Sequence, residues 1–150
     1  MQRTIYETAS NLSNEATVAD IVTTVTGTVF KKNPRFYEID LSILGREGNG
    51  ILGFAEIKVR TNASTAFPTY MISAHKIMAA RQIMETFSVP VYLIIGFTDG
   101  IKIHCIEYNC DYYKLEYGGR TVRTRDPQDL EPVVHIPMNM FYPLCSEALG

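Results

Sequence analysis

Seven consecutive residues without a charge, Val91-Tyr92-Leu93-Ile94-Ile95-Gly96-Phe97, limit the folds open to this chain more than any other segment. Polar-on-one-side strands alternate, whereas a continuous apolar run of this length suits a strand buried on both faces. Such a strand needs a layer on each side of its sheet. Pro90 bounds the run before, and Thr98-Asp99-Gly100 follows as a hairpin turn into a return strand from Ile101 to Tyr108. The expected architecture is α/β, with a central mixed β-sheet flanked by helices.

With 150 residues the chain is expected to form a single domain over 1–150 with its own core. Hydrophobic residues at 46% and charged residues at 20% are values of a globular protein. A net charge of −2 and a pI near 5.9 argue against a passive, high-affinity nucleic-acid coat. They leave room for a local site of clustered acids. Cys105, Cys110 and Cys145 form no CxxC pair and are expected as reduced, mostly buried thiols. His75, His104 and His135 are scattered, which disfavours zinc. No apolar run reaches membrane-spanning length and the start lacks the apolar core of a signal peptide. The expected location is cytoplasmic, with no membrane partner.

Val18, Ile21, Val22 and Val25 recur at helical spacing, and Gly27 can end a helix there. The Thr and Val content leaves a strand as the alternative. In a helix, Glu15 lies in the first turn, where a carboxylate suits the dipole. Thr28 to Phe36 reads as a strand and loop carrying Lys31, Lys32 and Arg35. Pro68 and Thr69 introduce a second helix running to Phe87, with Ile72, Ala79, Ile83 and Phe87 on its inner stripe. The segment after Tyr108 is less regular. It contains Tyr112 to Tyr117, an Arg-rich turn and a proline-punctuated tail from Pro127.

The chemistry concentrates between Tyr37 and Arg60. Tyr37 to Leu44 and Ile51 to Arg60 read as two strands joined by the turn Gly45-Arg46-Glu47-Gly48-Asn49-Gly50, which makes a hairpin. Alternation puts Phe54, Glu56, Lys58 and Arg60 on one face of the second strand, and the apolar Ala55, Ile57 and Val59 on the other. A loop centred near residue 48 sets Asp40 across from Glu56 and Glu38 across from Lys58. Cross-strand neighbours lie about 5 Å apart at Cβ. Two carboxylates beside an ammonium can bind a divalent metal and activate a water, the minimal chemistry of a metal-dependent nuclease. In another register Glu38 takes the place of Asp40. The bland alternative is a cross-strand ion-pair group on a solvated sheet face, where each pair contributes little.

The order helix, strand, hairpin, helix, strand, strand, with acids on the hairpin, resembles the PD-(D/E)XK nuclease superfamily, the fold of many restriction enzymes and junction resolvases. Within it the chain looks most like small single-domain nucleases of phages and prophages. Asn14-Glu15, Tyr37-Glu38-Ile39-Asp40, Ala55-Glu56-Ile57-Lys58-Val59-Arg60 and Pro68-Thr69-Tyr70-Met71-Ile72-Ser73 carry the resemblance, which covers roughly residues 5 to 108. Ile39 stands where the superfamily's name has proline.

The resemblance implies a restriction-endonuclease-like core and a Mg²⁺- or Mn²⁺-dependent nuclease acting on nucleic acid, DNA above all. Asp40 and Glu56 would bind the metal with the Ile57 carbonyl. Lys58 would orient or deprotonate the attacking water and stabilise charge on the phosphate. Glu15 would complete the acidic cluster, with Glu7 its rival. Lys76 would contact the phosphate. Arg60, Arg120 and Arg123 are further candidate nucleic-acid contacts, with Arg125 beside them and Asp126 and Asp129 diluting the patch. Lys31, Lys32 and Arg35 either flank DNA or form a solvated loop. His75 is either partly buried or a substrate contact. Tyr112, Tyr113 and Tyr117 either pack in a strand or stack on unpaired bases. Relatives that cut two strands as dimers imply a homodimer or higher homo-oligomer. The alternative functions are a catalytically inactive module of the same fold that binds DNA or serves assembly, and a protein with no nucleic-acid role.

Overall fold

A computed structural model describes residues 14–35, 37–45, 50–110, 112–119 and 130–150. In chain order the elements are α1 (Glu15–Thr26), β1 (Val29–Lys32), β2 (Leu41–Leu44), β3 (Ile51–Val59), β4 (Thr69–Ser73), α2 (Ala74–Phe87), β5 (Val91–Phe97), β6 (Gly100–Cys105), β7 (Lys114–Gly119), β8 (Leu130–Pro137) and β9 (Tyr142–Pro143). The main sheet has the order β1-β2-β3-β5-β6-β9. Its β3–β5 pair is parallel and the other pairs are antiparallel, so the sheet is mixed as expected. A second sheet, antiparallel throughout, has the order β4-β8-β7.

The apolar run forms β5 and is buried at every position. Its alternate side chains feed two cores. Tyr92 and Ile94 join Ala55, Ile57, Ile43 and Ile103 beneath Val18, Ile21 and Val22 of α1. Leu93 and Ile95 join Phe54 beneath Ile77 and Ala80 of α2 and beneath Tyr70, Ile72, Val134 and Ile136 of the second sheet. Full burial of each such aliphatic or aromatic side chain is worth about 1.5–3 kcal/mol. Both faces of β3 are therefore covered, including the one that carries Glu56.

The α1 segment is a helix. Asn14 Oδ1 accepts the Thr17 N–H at 2.8 Å as the N-cap, and Gly27 closes the helix with a left-handed φ of 78°. The second helix differs from expectation. It starts at Ala74, because Thr69–Ser73 is a strand paired with β8. Tyr70 and Ile72 point inward by strand alternation, and Ser73 Oγ caps the helix by accepting the His75 N–H at 3.1 Å. Ile72 is thus buried from a strand, and Phe87 is 49% exposed while its ring meets Phe54 at 5.7 Å.

The tail is more regular than its prolines suggest. β8 runs through Pro132 as the middle strand of the second sheet, and Val133, Val134 and Ile136 are buried. Tyr113 serves packing: its hydroxyl meets Nε2 of the buried His104 at 2.5 Å and accepts the Glu107 N–H at 3.0 Å. Tyr112 is exposed. The cysteines are free but less buried than expected, with Cys145 exposed and Cys105 and Cys110 half-buried. Among the described residues no helix is long and apolar enough to cross a membrane.

Candidate active site

The hairpin register places Asp40 beside Glu56. β2 pairs with β3 as Leu41↔Ala55, Ser42↔Phe54 and Ile43↔Gly53, before a shift between Ile43 and Leu44. One step further back along that ladder, the Asp40 N–H donates to Glu56 Oε1 at 3.3 Å. The strand itself begins only at Leu41, so Tyr37 to Asp40 lie outside it. Asn33 holds this lead-in. Its Nδ2 donates to the Ile39 carbonyl at 2.8 Å, its N–H donates to the Asp40 carbonyl at 2.7 Å, and its Oδ1 accepts the Ser42 hydroxyl at 2.5 Å. Glu38 is exposed, and its carbonyl, not its carboxylate, takes part by accepting a hydrogen bond from Lys76. The register therefore sets Asp40, and not Glu38, next to Glu56.

Glu56 is 1% exposed on a face that is covered rather than solvated. Lys58 Nζ, from the same strand face, and Lys76 Nζ, from the first turn of α2, each lie 3.4 Å from its Oε2. Burial pushes the Glu56 carboxyl above its ordinary pKa, Lys76 opposes this, the nearby Asp40 charge adds to it, and Lys58 and the Asp40 N–H oppose it; the net shift is upward. Oε2 has no hydrogen-bond partner among the described residues. Its charge is balanced by the two ammonium groups, whose 3.4 Å separations are longer than ordinary hydrogen bonds. Asp40, Glu56 and the Ile57 carbonyl offer hard oxygen donors, the set that suits Mg²⁺ or Mn²⁺. The residues present fit the metal.

Glu15 occupies the first turn of α1 as expected and is exposed. Among the described residues no three acidic, His or Cys side chains group closely enough to hold an ion, so Glu15 does not form a compact trio with Asp40 and Glu56. Tyr70, named above only as part of the segment that carries the resemblance, feels the charge of both Glu15 and Glu56. Burial pushes its hydroxyl up to about 12, Arg60 opposes this, and the charges of Glu56 and Glu15 add to it. Arg60 lies with its guanidinium carbon 5.1 Å from the Tyr70 ring centroid. Asn33 is a residue that the sequence reading passed over, and its signal was the Asn33-Pro34 turn that precedes the acidic strand.

His75, Lys31, Lys32 and Arg35 are exposed. Arg120, Arg123 and Arg125, with Asp126 and Asp129, lie outside the described residues, as do Glu7 and the side chain of Tyr117. Beyond Arg60 opens a cavity of about 370 Å³ lined by Arg60, Phe67, Thr69, Tyr70, Met71 and His135 among others.

A mixed sheet with a helix on each face, and an acidic hairpin beneath the second helix, define an α/β restriction-endonuclease-like core. The structure of the Holliday junction resolvase Hjc from Archaeoglobus fulgidus matches with a TM-score of 0.53 at 13% identity, over 86% of this chain and 89% of that one. At that identity the likeness speaks for the fold. The model of a family described as "Phage putative PDDEXK endonuclease" matches residues 1–144, and the chain belongs to that family. Membership makes it a nuclease of the PD-(D/E)XK class. A comparison with curated proteins finds no match.

Proposed function

We propose that this chain is a Mg²⁺- or Mn²⁺-dependent phosphodiester hydrolase acting on DNA, with branched, recombination or packaging intermediates as its substrates. The observation that carries this reading is Glu56 itself: a buried carboxylate joined to Asp40 through one oxygen and faced by two lysines across the other. A structural ion-pair group on a solvated face would not need that burial.

In this reading Asp40, Glu56 and the Ile57 carbonyl hold the cation. When bound, it would lower the pKa of water and offset charge on the phosphate and the leaving 3′ oxygen. Lys58, the more exposed lysine at 37%, orients the attacking water and takes up or delivers its proton. Lys76, held by the Glu38 carbonyl, positions Glu56 and reaches the phosphate. Glu15 contributes charge from the rim, through water or a second ion. Arg60, Arg120 and Arg123 contact the nucleic-acid backbone. One such site cuts one strand, so a homodimer or higher homo-oligomer would serve two-strand cleavage. The setting for this activity is the cytoplasm of a bacterium or phage-infected host.

The test is a cleavage panel over duplex, single-stranded, flapped and branched DNA, and RNA, with Mg²⁺ or Mn²⁺ against chelator. Divalent-dependent cleavage of DNA is expected. Purified protein that cuts none of these substrates would contradict the reading.

A further inference from the structure

We propose that the cavity beyond Arg60 is a nucleobase subsite, which takes one unpaired base of the substrate strand next to the bond that is cut. This rests on the nuclease reading and adds a substrate feature to it: local unpairing beside the scissile phosphate.

Position comes first. Arg60 stands two residues beyond Lys58, just past the end of β3, where its N–H continues the ladder by donating to the Gly96 carbonyl at 2.9 Å; two residues of extended chain advance about 7 Å. The cavity therefore opens one side-chain step from the Glu56–Lys58 pair. A strand of nucleic acid with its phosphate at Lys58 presents its neighbouring nucleotide there.

The walls match a base. Phe67 stands at the rim and is 62% exposed, and Met71 is 43% exposed, so neither serves a core. The buried Tyr70 backs Arg60, whose guanidinium carbon lies 5.1 Å from the tyrosine ring centroid, so that Arg60 is the group offered to a base. Bases stack on aromatic side chains and on Arg planes, and each such stack contributes substantially to single-strand binding. The polar groups are few and fixed: Thr69 Oγ1 lies 3.0 Å from His135 Nδ1, and His135 Nε2 lies 2.9 Å from Glu116 Oε1. A small number of placed polar groups in an apolar wall is the usual make-up of a small-molecule site, and about 370 Å³ is at the lower end of the size range for such sites. A base inside a duplex is stacked above and below and cannot enter; an unpaired or extruded base can.

The experiment uses the full-length protein in chelator, so that no cleavage occurs, and single-stranded oligonucleotides carrying 2-aminopurine at successive positions. Wild type is expected to quench the probe at one position. Phe67→Ala is expected to lose that quenching and to bind the oligonucleotide about 5- to 100-fold more weakly, the effect of one lost stack. Phe67→Trp is expected to restore both. Circular dichroism checks that the variants fold. A parallel arm measures cleavage with Mn²⁺. Quenching and affinity unchanged in Phe67→Ala, with cleavage intact, would overturn the subsite, leave the nuclease reading standing and assign the aromatic rim to a protein contact. Phe67-dependent quenching without any Mn²⁺ cleavage would support the subsite and sink the metal-dependent reading. Failure of the wild type to bind any oligonucleotide would overturn the subsite, and cleavage in the Mn²⁺ arm would still decide the nuclease reading by itself.

Discussion

The main-chain N–H of Asp40 donates to Oε1 of Glu56 at 3.3 Å, across sixteen residues of sequence. That bond ties the lead-in of one strand to the buried acid of the next. Among the described residues, Oε2 is faced by Lys58 and Lys76. The geometry has consequences for stability, for metal binding and for catalysis.

Burial of Glu56 costs stability at neutral pH. Its carboxyl is pushed upward, chiefly by burial. A raised folded pKa gives a contribution that is full below the ordinary 4.5 and is lost as pH rises through the folded value. Metal-free Glu56→Gln is therefore expected to melt higher than wild type at neutral pH, and the gap is expected to close on acidification below 4.5. Thermal melts in chelator at the two pH values check this. A variant that melts lower than wild type at neutral pH would contradict it.

Lys76 opposes the upward shift of Glu56 more than Lys58 does. Metal binding requires the ionised carboxylate. Lys76→Ala is expected to move the pH at which Mn²⁺ binding reaches half its plateau upward, and by more than Lys58→Ala does. Calorimetric titrations across pH give the order. The reverse order would show that Lys76 is not the principal partner of the acid.

The loop that carries Phe67 is tied to the β5–β6 turn by Asp99, which accepts the Ser64 N–H at 2.8 Å and the Ser64 hydroxyl at 2.7 Å. Partial burial pushes the Asp99 carboxyl up, but the Ser64 bonds outweigh it and hold the group below its ordinary 3.8. A lowered folded pKa gives stability that is present above 3.8 and is lost as pH falls through the folded value. Ser64→Ala is expected to lower the melting temperature at neutral pH, and the deficit is expected to shrink in strong acid. A deficit independent of pH would assign the effect to packing.

Gly53 lets β3 approach the start of β5. The Phe54 N–H donates to the Pro90 carbonyl at 3.0 Å, and a Cβ at Gly53 would stand 2.8 Å from that same oxygen. Gly53→Ala forces a backbone to shift and is expected to cost about 1–3 kcal/mol. For a chain of this size each kcal/mol is about 2–4 °C of melting temperature. An unchanged melt would mean that the strand accommodates the methyl group.

Much of this was legible in the sequence because the governing patterns are local. β5 announced itself as an uncharged run, and the hairpin register followed from where the turn glycines fall. Asp40 could thus be set against Glu56, with Glu38 left as the alternative until the strand pairing removed it. The second sheet was not legible. Thr69–Ser73 sits directly before a helical pattern and merges with it, and the prolines of β8 mask the buried Val133, Val134 and Ile136. Its strands pair across dozens of residues, and no short-range signal reports such pairing. The role of Lys76 at Glu56 was hidden for the same reason: a lysine on a helix gives no sign of which strand lies beneath it.

Cleavage of a four-way DNA junction in Mn²⁺ by wild type and Lys58→Ala, side by side, tests the central claim most directly. Loss of the positioned proton-transfer group is expected to slow cleavage about 10²- to 10⁴-fold. Mn²⁺ binding should be retained, because Asp40 and Glu56 remain. A Lys58→Ala protein that cuts the junction at the wild-type rate would contradict the site described here.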